Sequence, residues 1–269
     1  QITAEATKGT QENLRRLDRG ELDFGLANAA ITYFAVRGQG KWEKAYPVRT
    51  IMTLAPNIAF FVTPASSGIK TMADLRGKRV VVGPAGAGFE HFVAPILEAH
   101  GLSYDDIRPL HDTQAGAVAL LADGSADAAF LGGAVPTASI TQACAAQDIH
   151  FIPFDDKAMD SLLAKYSFYD KKTIPAETYR GQTQPFHCLN VGNMTLVASE
   201  ATDNDTVYHF TKTLFENAPQ VVEKHPAGRA INPKNVIRQT GTPFHSGAIR
   251  YFKEIGIWPM DNTESSVRE

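Results

Sequence analysis

Residues 17–26 read Leu-Asp-Arg-Gly-Glu-Leu-Asp-Phe-Gly-Leu, and residues 121–130 read Leu-Ala-Asp-Gly-Ser-Ala-Asp-Ala-Ala-Phe. Both stretches follow the pattern Leu-x-x-Gly-x-x-Asp and continue into an apolar run. The pattern predicts a helix that ends at a glycine in the left-handed conformation, followed by a short buried strand. We therefore expect helices at about 11–19 and 115–122, and strands at about 23–27 and 126–131.

More of the same order surrounds the second copy. A predicted strand at 78–82 leads through a glycine-rich turn at 83–88 into a helix at about 89–100, and a strand follows at about 106–110. This β-α-β-α-β order is typical of an open, doubly wound sheet. The first copy has only a strand at about 2–6 before its helix. The comparison predicts that a leading strand, loop and helix of this half precede Gln1, unless the two halves differ there.

The remaining elements predict two lobes. A strand at 194–199 and helices at 203–217 and 246–255 return to the first half, so lobe one is discontinuous. We predict lobe one at 1–65 plus 193–269 and lobe two at 66–192, with crossings near 61–71 and 190–194. Two crossings make a two-segment hinge, and a cleft lies between the lobes.

The composition excludes several classes of protein. The chain has 269 residues, 43% of them hydrophobic, and a net charge of −3, which fits a buried core and no nucleic-acid surface. No run of 18 or more apolar residues predicts a membrane span. No basic segment followed by an apolar one begins the sequence, which leaves cytosolic residence or a signal already removed. Cys144 and Cys188 match no zinc or CxxC pattern, and either pair in an oxidising compartment or are buried thiols.

Ligand-binding positions are predicted where strands end and helices begin. Ligands of open α/β sheets bind at the carboxyl ends of the strands, and helix N-termini offer unpaired N–H groups to anions. Each such position has an alternative role as a helix cap or a turn residue. The candidates are Thr10, Asn13 and Asn28 in lobe one, and Gly86, Ala87, Gly88, Gly133, Pro136 and Thr137 in lobe two.

Other chemistry finds little support in the sequence. The glycines at 83, 86 and 88 do not match G-x-G-x-x-G, and no Lys-Ser/Thr pair follows them, so no nucleotide cofactor is predicted. The eight histidines do not cluster into a metal site, and no catalytic motif is present. The aromatic residues at 166–169 either wall the cleft or pack in the core.

Several stretches resemble a known family. Residues 68–80, Gly-Ile-Lys-Thr-Met-Ala-Asp-Leu-Arg-Gly-Lys-Arg-Val, are similar to a segment common to periplasmic binding proteins. The more specific stretches are Gly-Ala-Gly at 86–88, Phe-Leu-Gly-Gly at 130–133 with Pro-Thr at 136–137, Lys-Tyr-Ser-Phe-Tyr at 165–169, and Thr-Pro-Phe-His-Ser-Gly-Ala at 242–248. Together they resemble the TAXI-type solute receptors of tripartite ATP-independent periplasmic (TRAP) transporters, over nearly the whole chain.

This resemblance implies a type II periplasmic binding-protein fold and delivery of a ligand to a sodium- or proton-driven permease. It implies dicarboxylate or amino-acid ligands, such as glutamate or 2-oxoglutarate, and a leading glycine-rich segment that this sequence lacks. By this resemblance, the ligand-binding positions of this sequence are Thr10, Asn13, Asn28, 86–88 and 133–137. Asn28 stands where Gln is frequent, Ala-Ala at 29–30 replaces a polar pair, and Ala87 and Phe89 stand where Ser and Thr are common. A less polar ligand is therefore compatible with the site.

We predict from these observations a periplasmic solute receptor, an α/β protein that is a monomer and not an enzyme. It binds a small anionic metabolite in the cleft, uses no cofactor, contacts no nucleic acid, and passes the ligand to the membrane subunits of a TRAP transporter. Two other functions remain. One is an enzyme of the same two-lobed fold, which would need an acid–base pair or nucleophile in the cleft. The other is a sensory ligand-binding domain of a regulator.

Overall fold

Two β-sheets of unequal size organise the chain in a computed structural model, which describes residues 3–259. The smaller sheet has the order β1 (Phe24–Asn28), β10 (Met194–Ser199), β2 (Val48–Thr53), and both of its pairings are antiparallel. The larger sheet has the order β5 (Arg108–Leu110), β4 (Arg79–Val81), β6 (Ala128–Gly133), β3 (Ile58–Pro64), β9 (Phe186–Val191), β8 (Tyr169–Ile174), and β7 (Ile149–Ile152) also pairs with β3.

Helices flank both sheets. They are α1 (Thr10–Asp18), α2 (Ala29–Ala35), α3 (Glu90–Ala99), α4 (Gln114–Ala122), α5 (Ala138–Ala146), α6 (Asp156–Lys165), α7 (Asn204–Glu216), α8 (Ala218–Lys224), α9 (Pro233–Val236) and α10 (Ser246–Glu254). Short 3₁₀ turns lie at Ala65–Ser67, Met72–Leu75, Tyr104–Asp106 and Pro226–Ala230. None of the helices within 3–259 has both the length and the apolar composition that a membrane crossing needs.

The internal repeat predicted from the sequence is confirmed. Helix α1 is followed by Gly20 at φ 70° and then β1, and α4 is followed by Gly124 at φ 78° and then β6. Strands β4, β5 and β6 are parallel, as the β-α-β-α-β order indicates. The strand predicted at 2–6 is wrong for residues 3–6, which form no strand, and residue 2 lies outside the described residues. Within 3–259 no strand pairs with the outer edge of β1, so residues 3–6 do not extend the smaller sheet.

Two chain segments connect the sheets. Residues 54–57 join β2 to β3, and residues 192–193 join β9 to β10. The second connection lies within the range 190–194 predicted for a crossing, whereas the chain reaches the larger sheet before 61–71, because β3 pairs with β6 and β9. The division into lobes at 1–65 plus 193–269 and 66–192 stays a prediction.

Buried amides tie the two connections together. The Asn57 N–H donates to Asn190 Oδ1 at 2.9 Å, and Asn190 Nδ2 donates to Asn193 Oδ1 at 2.7 Å. Asn193 Nδ2 in turn donates to the carbonyl of Leu54 at 2.7 Å. Because both asparagine side chains are buried and paired, the connections form one hydrogen-bonded unit between the sheets.

Candidate functional site

The three candidates of the first half of the chain lie together and are buried. The Asn28 N–H donates to Thr10 Oγ1 at 3.0 Å, and Asn13 Nδ2 donates to the carbonyl of Leu26 at 2.8 Å. Asn28 also caps α2, because its Oδ1 accepts from two N–H groups of the first turn. Its Nδ2 donates to the carbonyl of Gly192 in the second connection, at 2.9 Å. In this structure these three side chains form their hydrogen bonds with other groups of the protein.

The glycine turn before α3 reaches across to α1 and α2. Gly88 is buried at φ 91°, and a Cβ there would lie 3.0 Å from both Gln11 Cγ and Ile31 Cδ1. Gly86 is exposed at φ 73°, with nothing within 4 Å of such a Cβ, and Ala87 lies between the two glycines. We call this contact between the glycine turn and helices α1 and α2 the seam.

The third group lies at the end of β6 and the start of α5. The Thr137 N–H donates to the Tyr179 hydroxyl at 2.8 Å, and Thr137 Oγ1 donates to the carbonyl of Ala134 at 3.0 Å. The Gln114 side chain bonds both the N–H and the carbonyl of Gly132, one residue before Gly133. No local sequence signal identifies the Gln114 amide or the Tyr179 hydroxyl as partners of this strand end.

Among the longer helices, those that begin at predicted ligand-binding stretches lack a side-chain cap. Among the described helices of nine or more residues, α4, α6, α7 and α10 each donate an N–H of the first turn to a capping side chain, and the caps are Thr113, Asp155, Asp203 and His245. Helices α1, α3 and α5 start without such a cap. Their first N–H groups therefore lack the partner that a capping side chain supplies. All three uncapped starts fall at predicted ligand-binding stretches.

A cavity of about 610 Å³ opens beside the seam, and we call it the seam cavity. One wall is formed by residues at and after α2, and the other by the glycine turn, one face of α3 and the loops beyond it. Its lining is Phe34, Gly40, Lys41, Val82, Pro84, Ala85, Gly86, Phe89, Glu90, His91, Ala94, Pro95, Glu98, Tyr104, His111 and Tyr166. Tyr166 thus lines a cavity, whereas Phe168 of the same predicted aromatic segment lies in the core.

Only one predicted site residue, Gly86, lines the seam cavity. Pro136 lines a second cavity of about 700 Å³, between residues 55–58, 134–136 and 172–175 and the segment 225–235. The other seven candidates line neither cavity. The lining residues Phe34 and Lys41 were missed, because nothing local in the sequence brings them opposite a helix some fifty residues away.

His91 is the most enclosed polar side chain of the seam cavity, with 6% exposure. Its ring stacks between Phe34, at 5.4 Å, and Trp42, at 5.9 Å between centroids. Burial lowers the pKa of His91, so the ring is neutral at pH 7. Its Nε2 lies 3.5 Å from Gln11 Nε2, and the same amide nitrogen lies 3.5 Å from a Glu90 carboxylate oxygen. Gln11 therefore links α1 to α3 across the seam.

The described residues contain few groups that are suited to nucleophilic chemistry or to metal binding. Cys144 and Cys188 are free, buried thiols, and burial raises the pKa of both, that of Cys188 to about 12. A thiol held protonated at neutral pH is a weak nucleophile and a weak metal ligand. Between residues 3 and 259, no three His, Cys, Asp or Glu side chains group as a metal site.

Solved structures share this fold. The alkanesulfonate-binding protein SsuA from Xanthomonas axonopodis pv. citri, bound to MOPS, is 19% identical, with a TM-score of 0.50 over 92% of this chain and 71% of that one. A protein from Bordetella bronchiseptica RB50 is 16% identical, with a TM-score of 0.53 over 94% and 78%. A protein from Xanthomonas citri, bound to ATP, is 14% identical, with a TM-score of 0.50 over 92% and 81%.

These identities establish the fold alone. The chain has the mixed α/β fold of periplasmic solute-binding proteins, with helix-flanked sheets, as the sequence predicts. The sequence itself matches one protein family over residues 1–256, nearly its full length. The chain therefore belongs to the NMT1-like family.

Proposed function

We propose that this chain is a solute receptor that captures a small anionic ligand between two lobes, outside the cytoplasm, and passes it to a membrane permease. The observation that carries the proposal is the set of uncapped helix starts at α1, α3 and α5. A helix start carries free N–H groups and the positive end of the helix dipole. An anion can supply the partner that these three helices lack, while the capped helices offer it nothing.

The arrangement of the chain supports capture by closure. The two connections, 54–57 and 192–193, join the two sheets, and the glycine turn meets α1 and α2 across the seam. A ligand that touches both lobes favours the closed arrangement by its extra contacts there. No chemical step is part of this proposal.

The finer proposal concerns the permease and the ligand. The resemblance of residues 86–88, 130–137, 165–169 and 242–248 to TAXI-type receptors supports a TRAP permease, with a dicarboxylate or an amino acid as the ligand. Sulfonates are the second candidate, because the similar SsuA protein is alkanesulfonate-binding. Both classes present anionic oxygens, which suits backbone N–H donors.

The proposal is tested by isothermal titration of the chain with glutamate, 2-oxoglutarate, succinate and short alkanesulfonates. We expect saturable one-to-one binding of at least one of these anions. A matched pair of variants tests the helix starts. Gly86→Asp adds a carboxylate at the start of α3, where space is open, and should weaken binding about tenfold or more, since like charges repel.

Gly86→Asn is the control, because asparagine has the shape of aspartate without its charge and tolerates the left-handed backbone of residue 86. It should bind nearly as well as the unaltered chain. If neither an anion of the panel nor an amino acid binds, the receptor proposal fails. If Gly86→Asp and Gly86→Asn bind equally, the start of α3 takes no part in binding. Uptake driven by a sodium or proton gradient, and not by ATP, would support the TRAP permease.

A further inference from the structure

The size and walls of the seam cavity suit a ligand larger than a short dicarboxylate. Its volume, about 610 Å³, falls in the range of about 300–1,000 Å³ that holds drug-sized ligands. Four aromatic side chains line it: Phe34, Phe89, Tyr104 and Tyr166. Phe34 and Tyr166 form one continuous wall, with their centroids 5.7 Å apart. Such walls favour an apolar or aromatic body and offer little to an aliphatic dianion.

The side chains that line the cavity include more carboxylates than Lys or Arg side chains. Glu90 and Glu98 lie eight residues apart on α3, with Ala94 between them, so all three share one face of the helix and line the cavity. Lys41 is the single Lys or Arg among the lining residues. Within residues 3–259 neither glutamate forms an ion pair, and Glu90 accepts only a long bond from Gln11, at 3.5 Å. A dicarboxylate would meet two carboxylates here, whereas an ammonium group would pair with them.

His91 adds a polar ring to the wall of the cavity. Its Nε2 lies 3.5 Å from the amide nitrogen of Gln11. Within the described part of the chain, Nδ1 donates to no protein acceptor. Since the ring lines the cavity, a ring N–H of His91 can donate to an anionic oxygen of a ligand.

We propose that the ligand of the seam cavity is an amino acid with an aromatic or large apolar side chain. Its ammonium group pairs with Glu90 and Glu98, its carboxylate is bound by His91 and Lys41, and its side chain lies among the aromatic walls. This inference rests on the proposed receptor function: it keeps an anionic carboxylate as one group of the ligand and adds an ammonium group and an apolar body.

The test is a titration of the full chain with matched ligands. L-phenylalanine carries all three features, 3-phenylpropanoate lacks the ammonium group, and 2-phenylethylamine lacks the carboxylate. Glutamate and 2-oxoglutarate form a second pair, which lacks the aromatic body. We expect L-phenylalanine to bind about tenfold or more tightly than each of the other four, since each of them loses at least one charged or apolar contact.

A charge variant separates pairing from general effects. Glu90→Gln should weaken L-phenylalanine binding about tenfold and leave 3-phenylpropanoate binding unchanged or tighter, because only the first ligand carries an ammonium group. Glu223→Gln, on the exposed surface of α8, is the matched control and should change neither. Equal losses for both ligands in Glu90→Gln would contradict the proposed pairing.

The outcomes distinguish this inference from the function on which it rests. If glutamate, 2-oxoglutarate, succinate or a sulfonate binds and L-phenylalanine does not, the receptor function stands and the aromatic amino-acid ligand is wrong. If no anion and no amino acid binds, both proposals are wrong. Preferred binding of 3-phenylpropanoate over L-phenylalanine would overturn the role of the glutamates.

Discussion

At the scale of single residues, Gly88 decides how closely the glycine turn approaches α1 and α2. Its φ of 91° lies in the left-handed region, and a side chain there would press on Gln11 and Ile31. We expect Gly88→Ala to lower the free energy of unfolding by about 1–2 kcal/mol through backbone strain. Overpacking at the seam should add about 1–3 kcal/mol. Urea unfolding measures the sum.

Gly101→Ala isolates the strain. Gly101 has a φ of 72°, but a Cβ there would have no atom within 4 Å, so this variant should show the strain without the overpacking. Equal losses of unfolding free energy in Gly88→Ala and Gly101→Ala would mean that the seam accommodates the extra methyl group without a further loss of stability.

At the scale of elements, capped helices should contribute to stability and uncapped ones to binding. Asp203 caps α7, where its Oδ2 accepts from the Thr206 N–H at 2.8 Å. Asp203→Ala should lower the free energy of unfolding by about 1 kcal/mol, because the cap is lost. Asp203→Asn should keep most of that stability, since asparagine caps equally well. Ligand affinity should be unaltered in both, and a change in affinity would show that α7 communicates with the site.

At the scale of the whole molecule, the two faces of the smaller sheet belong to different parts of the core. Along β10, Val197 packs in the larger apolar cluster, and Leu196 and Ala198 pack in the smaller one, because successive side chains of a strand point to opposite faces. The chain has two tryptophans: Trp42 lies in the larger cluster and Trp258 packs on the smaller.

Since β10 contributes to both clusters, we expect them to unfold together. Trp258→Phe leaves Trp42 as the fluorescent reporter, and Trp42→Phe leaves Trp258. After allowance for the stability of each variant by circular dichroism, the fluorescence of each should change at the same urea concentration as the loss of its helices. A tryptophan signal that moves well before or after the helical signal would show that the two clusters unfold as separate units.

Much of this architecture was readable from local patterns. The glycines at 20 and 124 end their helices because a left-handed residue stops helical hydrogen bonding at that point, wherever the rest of the chain lies. The helix predicted at 203–217 is equally local, and the structure places α7 at Asn204–Glu216 with Asp203 as its cap. The parallel direction of β4, β5 and β6 is local as well, because a helix between two strands returns the chain to the same end of the sheet.

Contacts between distant segments lay beyond those patterns. The antiparallel pairing of β3 with β6 and β9, the link from Asn28 to Gly192, and the facing of Phe34 and Lys41 toward α3 each join residues far apart in the chain. Periodicity and capping report on neighbours within a few residues, so they indicate where a helix starts but not which side chains lie across from it. The helix starts were therefore predictable, and the aromatic and charged walls of the seam cavity emerged only when the sheets packed together.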